Sequence, residues 1–180
     1  MNILFGLGNP GAKFEKTRHT VGARFIEWLA KKLDTPLKEE RSTKNRIARA
    51  QFNTTPVTLA ASGCWMNESG RCATQLLLIS KEKPKRLWVF HDDSDLDFGE
   101  VKISFGRGAA GHHGVESLFS ALKTKSFQRV RIGVRPREEI IRRKAGDFIV
   151  KPFSKKEEAE LPNVFRKVLA LLKKEFAREG

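Results

Sequence analysis

The hydrophobic positions of the chain fall into short continuous runs, separated by stretches with a helical period. The short runs are typical of buried strands and occupy residues 2–7, 86–92, 100–105 and 130–135. Two further runs, 45–51 and 57–61, are joined by a turn through Asn53 to Pro56, and they predict a hairpin.

Helical spacing covers four other stretches. The first has an apolar stripe made of Val21, Phe25, Trp28, Leu29 and Leu33. Further helices are predicted over 67–80, 113–124 and 155–178, the last of them long, charged and amphipathic. Because helices alternate with strands and one hairpin is included, the pattern predicts an α/β fold with a mixed β-sheet flanked by helices.

Size and charge narrow the class of protein. With 180 residues, 39% of them hydrophobic, and 13 Phe, the chain can bury one sizeable core, so residues 1–180 are expected to form a single domain. Lys and Arg number 35 against 21 Asp and Glu, which gives a formal net charge of +14 and a pI near 10.1. Polyanions are therefore the leading class of partner, although a basic, solvated surface fits the same numbers.

The remaining composition points to a soluble cytoplasmic protein. Two cysteines, Cys64 and Cys72, are too few for a disulfide framework and fit a reducing compartment. The N-terminus lacks a basic leader before a long apolar stretch, and no window approaches the length of a membrane span. We therefore expect neither a signal peptide nor a transmembrane helix.

The segment GLGNPG, at residues 6–11, fits the dinucleotide-binding pattern G-x-G-x-x-G, but its context argues against a nucleotide site. After Gly11 comes AKFEKTRHT, which has no apolar period, whereas a dinucleotide loop leads straight into a helix. Pro10 also removes a backbone N–H that such a loop would use. The glycines and Pro10 more simply build a tight turn that points Asn9 into a cleft.

Four other polar segments lie at predicted element ends, where sites of α/β proteins collect. His19 precedes the first helix in TRHT, and Asn67 in CWMNESG is placed to act as a helix N-cap. The third segment is HDDSDLDFGE, at the end of a strand, and the fourth is the glycine-rich GRGAAGHHG at 106–114. Taken singly, Asn9 is explained by capping its turn, and for a lone His such as His19 an ordinary surface or cap role is more common than a catalytic one.

Together these segments resemble the bacterial peptidyl-tRNA hydrolase family in order and spacing over nearly the whole chain. The resemblance rests on GLGNPG with TRH, MN-x-SG, HDD-x-DLD-x-G, a glycine-rich loop ending GHHG, and RVRIGV. It implies a peptidyl-tRNA hydrolase-like sandwich that cleaves the ester between a peptide and the 3′ end of tRNA, without a metal or other cofactor. His19 would act as general base on water and Asp92 would orient it, which suits the chemistry of an ester.

The resemblance also implies a set of substrate and tRNA contacts, some of them altered in this chain. Asn9 and Asn67 match the family's two site asparagines, and Arg131 matches a phosphate-contacting position. Departures are Thr20 for Asn, Phe14 for Tyr and His113 for a site Asn, which replaces an amide by an imidazole. Ser104 stands where the family has a basic residue, with Lys102 and Arg107 as possible substitutes.

Two other functional classes stay open at this point. The departures fit an RNA-binding relative of the chloroplast splicing type, although such a binder has no need for His19 and Asp92. A metal-dependent nuclease would use Asp92, Asp93, Asp95 and Asp97, but strand alternation sends Asp93 away from Asp92. Cys64 as a nucleophile is the weakest reading. The favoured prediction is a monomeric hydrolase with peptidyl-tRNA as its partner.

Overall fold

Seven strands form one mixed sheet, in the order β2-β3-β4-β1-β5-β7-β6, in a computed structural model that describes residues 1–137 and 144–179. The strands are β1 Asn2–Gly6, β2 Lys38–Glu40, β3 Asn45–Phe52, β4 Thr55–Ala61, β5 Leu87–Asp97, β6 Val101–Phe105 and β7 Gln128–Arg135. The helices are α1 Val21–Lys32, α2 Ser69–Ser80, α3 His113–Leu122 and α4 Lys155–Glu179. The predicted α/β fold with a mixed sheet is confirmed.

Helices cover both faces of the sheet, which explains the continuous apolar runs of the inner strands. β1 pairs in parallel with β4 and β5, and all five of its residues are buried. α1 and α4 pack on one face through Phe25 and Phe165, whose ring centroids lie 5.7 Å apart. α2 and α3 cover the other face, where Leu76 and Leu118 join Phe5 in a second apolar cluster.

Two glycines let α1 lie directly on the sheet. A Cβ added at Gly22 would stand 2.1 Å from the carbonyl oxygen of Phe90, and one added at Gly6 would stand 2.3 Å from the carbonyl oxygen of Gly22. The first glycine of GLGNPG therefore serves helix packing. α1 begins only at Val21, well beyond Gly11, so the loop does not lead into a helix as a dinucleotide loop does.

Several element boundaries differ from the sequence prediction. β5 runs on to Asp97 because pairing with β7 resumes after a register shift beyond Asp93, so the acids belong to the strand itself. β2 was not predicted, since its three residues are polar and lie at the sheet edge. The prediction of Asn67 as an N-cap was wrong: a short 3₁₀ turn, Met66–Glu68, precedes α2, and Glu68 holds the cap position.

Cys64 and Cys72 are joined by a disulfide across a Cα separation of 6.4 Å. Both side chains are buried, and the disulfide leaves Cys64 without a thiol that could act as a nucleophile. The loop after β4 folds back on α2 and brings the two cysteines together. The sequence did not predict this disulfide, because two cysteines are too few to indicate a disulfide framework. Among the described residues, no helix is both long and apolar enough to cross a membrane.

Candidate active site

The imidazole of His19 and the carboxylate of Asp92 meet at the carboxyl end of the central strands. Nδ1 of His19 lies 2.9 Å from Oδ1 of Asp92, and both residues are buried. With its proton on Nδ1, His19 donates to the carboxylate and keeps a lone pair on Nε2. The His19 ring lines two clefts at the protein surface. His19 and Asp92 therefore have the geometry of a general base and the acid that orients it.

His19 is held in place by the segment that precedes α4. Its backbone N–H donates to the carbonyl of Ile149 over 2.8 Å, and the N–H of Arg18 donates to the carbonyl of Lys151 over 3.0 Å. The buried guanidinium of Arg18 forms a two-pronged ion pair with Glu157 of α4, at 2.9 and 2.7 Å. Segments distant in sequence therefore fix the position of the base.

His112 is a member of this site that sequence reasoning missed. Its Nε2 lies 2.9 Å from the same Oδ1 of Asp92, and its Nδ1 accepts from the backbone N–H groups of Gly114 and Val115 as the N-cap of α3. Since the capped Nδ1 carries the lone pair, Nε2 carries the proton and donates to Asp92. GHHG contains two histidines, and only the start of α3 distinguishes the one that faces the acid.

Electrostatics at this pair favour an ionised carboxylate and a basic imidazole. Burial lowers the pKa of His19, but the charge of Asp92 and its hydrogen bond outweigh burial and raise that pKa above its ordinary value. Burial raises the pKa of Asp92, but the facing His19 and the hydrogen bonds from both imidazoles bring it well below its usual range. At neutral pH, Asp92 is therefore charged and stabilises a proton on His19.

Two adjoining clefts open from His19, and the second brings together several residues singled out in the sequence. Asn9, Asn67 and His113 line this cleft together with His19. Oδ1 of Asn9 accepts from the backbone N–H of Met66 over 2.8 Å, which ties the first loop to the loop that carries Asn67. Asn67 and His113 are exposed, so their side chains are accessible to a ligand.

Aromatic and aliphatic side chains rim the same cleft. Trp65 lines the cleft and is 49% exposed, and Phe14 stands edge to face against it with ring centroids 5.5 Å apart. Val150, from the segment that anchors His19, is 52% exposed on the same cleft. This exposed apolar rim next to amide side chains suits a ligand with flat bases or an apolar chain.

The predicted phosphate contacts lie apart from the cleft. Nε of Arg131 is 2.6 Å from Oδ2 of Asp93, so this guanidinium is already paired with a carboxylate. Lys102 is exposed on β6, 3.8 Å from Glu100, and the side chain of Arg107 is exposed in the glycine-rich loop. Ser104 is buried and its Oγ has no hydrogen-bond partner within the described chain.

The donor set around Asp92 does not suit a metal ion. His19, Asp92 and His112 are the one group of possible ligands that lies close together in residues 1–137 and 144–179. A metal on Nε2 of His112 would require the lone pair there, but two backbone amides fix that lone pair at Nδ1. Asp93, a further acid of the nuclease reading, is engaged by Arg131.

Comparison with known proteins places the chain in a family. Residues 3–180 match the profile of the peptidyl-tRNA hydrolase family. A peptidyl-tRNA hydrolase of Mycobacterium sp. strain KMS is 39% identical over 163 residues, covering 90% of this chain and 83% of the relative. That of Mycolicibacterium smegmatis is 37% identical over 163 residues, covering 90% and 84%. The crystal structure of peptidyl-tRNA hydrolase from Acinetobacter baumannii superposes with a TM-score of 0.85 at 25% identity, covering 96% of this chain and 87% of that one. The chain therefore belongs to the peptidyl-tRNA hydrolase family.

Proposed function

We propose that the protein hydrolyses the ester that joins a peptide to the 3′ end of tRNA, with His19 as general base. The observation that carries the proposal is the 2.9 Å contact between Nδ1 of His19 and Oδ1 of Asp92, which leaves Nε2 as the proton acceptor. Nε2 takes a proton from water as the oxygen attacks the ester carbonyl. Asp92 stabilises the imidazolium that results.

The same imidazolium then completes the reaction. The tetrahedral intermediate collapses, the bond between the carbonyl carbon and the ribose 3′ oxygen breaks, and the leaving oxygen takes the proton from His19. The products are a peptide with a free carboxylate and a tRNA with a 3′ hydroxyl. No covalent enzyme intermediate is needed, because water is the nucleophile throughout.

We propose that amide and imidazole side chains hold the reacting end of the substrate. The backbone N–H of Met66 already donates to Oδ1 of Asn9. The NH₂ group of Asn9 is therefore the part that contacts the ribose or the peptide. Asn67 and His113, both exposed on the cleft, are placed to donate to the oxyanion or to bind the peptide backbone. Phe14 and Trp65 supply an aromatic surface for the terminal base.

Phosphates of the acceptor stem are proposed to contact Lys102, Arg107 and Arg131, within a chain of net charge +14. Arg131 would then share its guanidinium between Asp93 and a phosphate, whereas Lys102 and Arg107 are exposed. Affinity for tRNA should therefore fall as the salt concentration rises. We further propose that the enzyme works as a cytoplasmic monomer without a cofactor.

One experiment tests the function directly. The protein is incubated with N-blocked aminoacyl-tRNA in the presence of EDTA, and release of the blocked amino acid is followed for wild type and His19→Ala. We expect release by wild type, a loss of about 10²-fold or more in the variant, and unchanged tRNA binding. The exposed His113 offers a matched substitution, since His113→Ala removes an imidazole from the same cleft without removing the base.

Two other outcomes would replace the proposal. Tight RNA binding without release by wild type would assign the protein to the splicing type of RNA binder. Cleavage of the RNA backbone that EDTA abolishes would assign it to the metal-dependent nucleases. The buried base with its orienting acid favours the hydrolase over the binder, because recognition of RNA alone has no use for this pair.

A further inference from the structure

We propose that Arg129 is a positioning residue that clamps the glycine-rich loop onto β5, the strand that carries Asp92. The clamp thereby holds His112 in its hydrogen bond to Asp92. The inference rests on the proposed hydrolase function, since it concerns how the acid of the catalytic pair is supported. The family resemblance singles out its neighbour Arg131 as a phosphate contact, whereas Arg129 is bonded to backbone carbonyls of the glycine-rich loop.

The guanidinium of Arg129 is buried and makes three contacts. Nη2 donates to the carbonyl oxygens of Arg107 and Gly108, at 3.0 and 2.9 Å, and Nη1 lies 3.4 Å from Nε2 of His91. The residue is 3% exposed, so it cannot reach a tRNA phosphate without leaving its site. The two backbone oxygens satisfy donors of this buried charge and so offset part of the cost of removing it from water.

The loop that Arg129 holds contains glycines at which no side chain would find a packing partner. Gly106 and Gly111 have φ values of 68° and 74°, and no atom lies within 4 Å of a Cβ built at either position. Ala109 packs against the second apolar cluster, and the two carbonyls at Arg107 and Gly108 give the glycine positions on either side of it a backbone anchor. The loop leads directly into His112, whose N–H donates to the carbonyl of Ala109 over 3.0 Å.

His91 links the clamp to the acid from the other side. Nδ1 of His91 lies 2.7 Å from the carbonyl oxygen of Asp92, so it carries the proton, and Nε2 is left as the acceptor for Arg129. Burial and then the neighbouring His112 hold the pKa of His91 well below its ordinary value, and the charge of Arg129 adds a smaller effect in the same direction. The ring stands edge to face with that of His112, with centroids 4.7 Å apart.

These contacts form one chain of support. Arg129 fixes the loop that precedes His112, and it also contacts the His91 imidazole that packs against His112. His112 in turn donates to the oxygen of Asp92 that faces His19. Loss of the clamp would let His112 move off Asp92 while the His19–Asp92 pair stays in place. Misplacement of a supporting group by about 1 Å costs up to about 10²-fold in rate, so the effect should appear in kcat.

The test compares Arg129→Lys with Arg129→Met. Lysine keeps the charge but cannot bond both carbonyls and His91 at once, whereas methionine removes charge and donors. We expect kcat for N-blocked aminoacyl-tRNA to fall about tenfold or more in both variants, with KM changed by less than about threefold. Arg49→Met, an exposed arginine on β3 toward the opposite edge of the sheet, is the matched control and should leave kcat unchanged.

The pH profile separates the clamp from the charge. Removing a cation near the site raises the pKa of His19, so the acid limb of kcat/KM should move to higher pH in Arg129→Met. In Arg129→Lys the limb should stay in place while kcat still falls. A fall in kcat that follows the pH shift alone would assign Arg129 an electrostatic role and overturn the clamp.

Hydrogen exchange tests the clamp without reference to activity. The amides of residues 109–112 should exchange faster in both Arg129 variants than in wild type, even if wild type proves inactive. Unchanged exchange with unchanged kcat would overturn the inference, as would a rise in KM with kcat retained, which indicates a direct phosphate contact. If neither variant folds, NMR of wild type decides, because a clamped Arg129 gives slowly rotating guanidinium protons and a freely rotating one refutes the clamp.

Discussion

Nε2 of His112 donates to the same Oδ1 of Asp92 that faces His19, over the same distance of 2.9 Å. One carboxylate oxygen thus serves two imidazoles, of which one lines the cleft as the base and the other begins a helix. Backbone amides hold Nδ1 of His112, so its Nε2 carries a proton and donates to the carboxylate. This hydrogen bond fixes the position of the Asp92 carboxylate.

His112→Asn and His112→Ala should separate this support from helix capping. Asparagine is a good N-cap but is too short to reach Asp92, whereas alanine loses both contacts. We expect kcat to fall about tenfold in both variants, with only alanine lowering the free energy of unfolding, by about 1 kcal/mol. Steady-state kinetics and urea unfolding of the two proteins measure the two effects, and full activity in His112→Asn would refute a role in catalysis.

The activity should decline as pH falls through the pKa of His19. A general base works only when unprotonated, and the pKa of His19 is raised above its ordinary value of about 6.5 by Asp92, so the acid limb of kcat/KM should lie above that pH. In Asp92→Asn, burial lowers the pKa of His19 with no facing charge to oppose it. The acid limb of kcat/KM should therefore move to lower pH, while kcat falls about 10²- to 10⁴-fold.

Asp97→Asn, at an exposed position of the same strand, is the control for that shift. It removes one negative charge from β5 without touching His19, and its profile should match that of wild type. An acid limb that stays at the same pH in Asp92→Asn would mean that another group titrates.

The sequence predicted the layers of the fold better than the contacts within the site. Apolar periodicity located the inner strands and all four helices, because burial on two faces leaves an unbroken hydrophobic run. β2 escaped, since an exposed edge strand needs no apolar residues. The end of β5 escaped as well, because a register shift in pairing with β7 leaves no mark on the acids of the strand.

Within the site, motif resemblance pointed to His19 and Asp92, which the structure brings together. It did not identify His112 or Arg129, because their importance lies in hydrogen bonds between backbone and side chain. Those bonds depend on where α3 begins and how the glycine-rich loop folds. The disulfide was missed for a similar reason, since the return of the loop onto α2 is a tertiary contact.

Reduction of the Cys64–Cys72 disulfide should destabilise the protein. The bond closes a loop with a sequence separation of 8, and loop-closure entropy then corresponds to about 2.5 kcal/mol in the free energy of unfolding. Urea unfolding with and without a thiol reductant measures the difference. A Cys64→Ala, Cys72→Ala double variant should be insensitive to the reductant, and equal midpoints for oxidised and reduced wild type would contradict the prediction.

His113→Asn should raise the activity. His113 lines the cleft beside His19, and a neutral imidazole offers one donor and one acceptor on opposite sides of its ring, whereas an amide presents both on one edge. One additional hydrogen bond in the transition state is equivalent to about 1 kcal/mol, so kcat/KM should rise about fivefold. His113→Ala removes both groups and should lower kcat/KM, measured with the same N-blocked aminoacyl-tRNA. If asparagine lowers the rate as alanine does, the imidazole itself contributes to the reaction, and the substitution of the family's amide is then a gain of chemistry at this position.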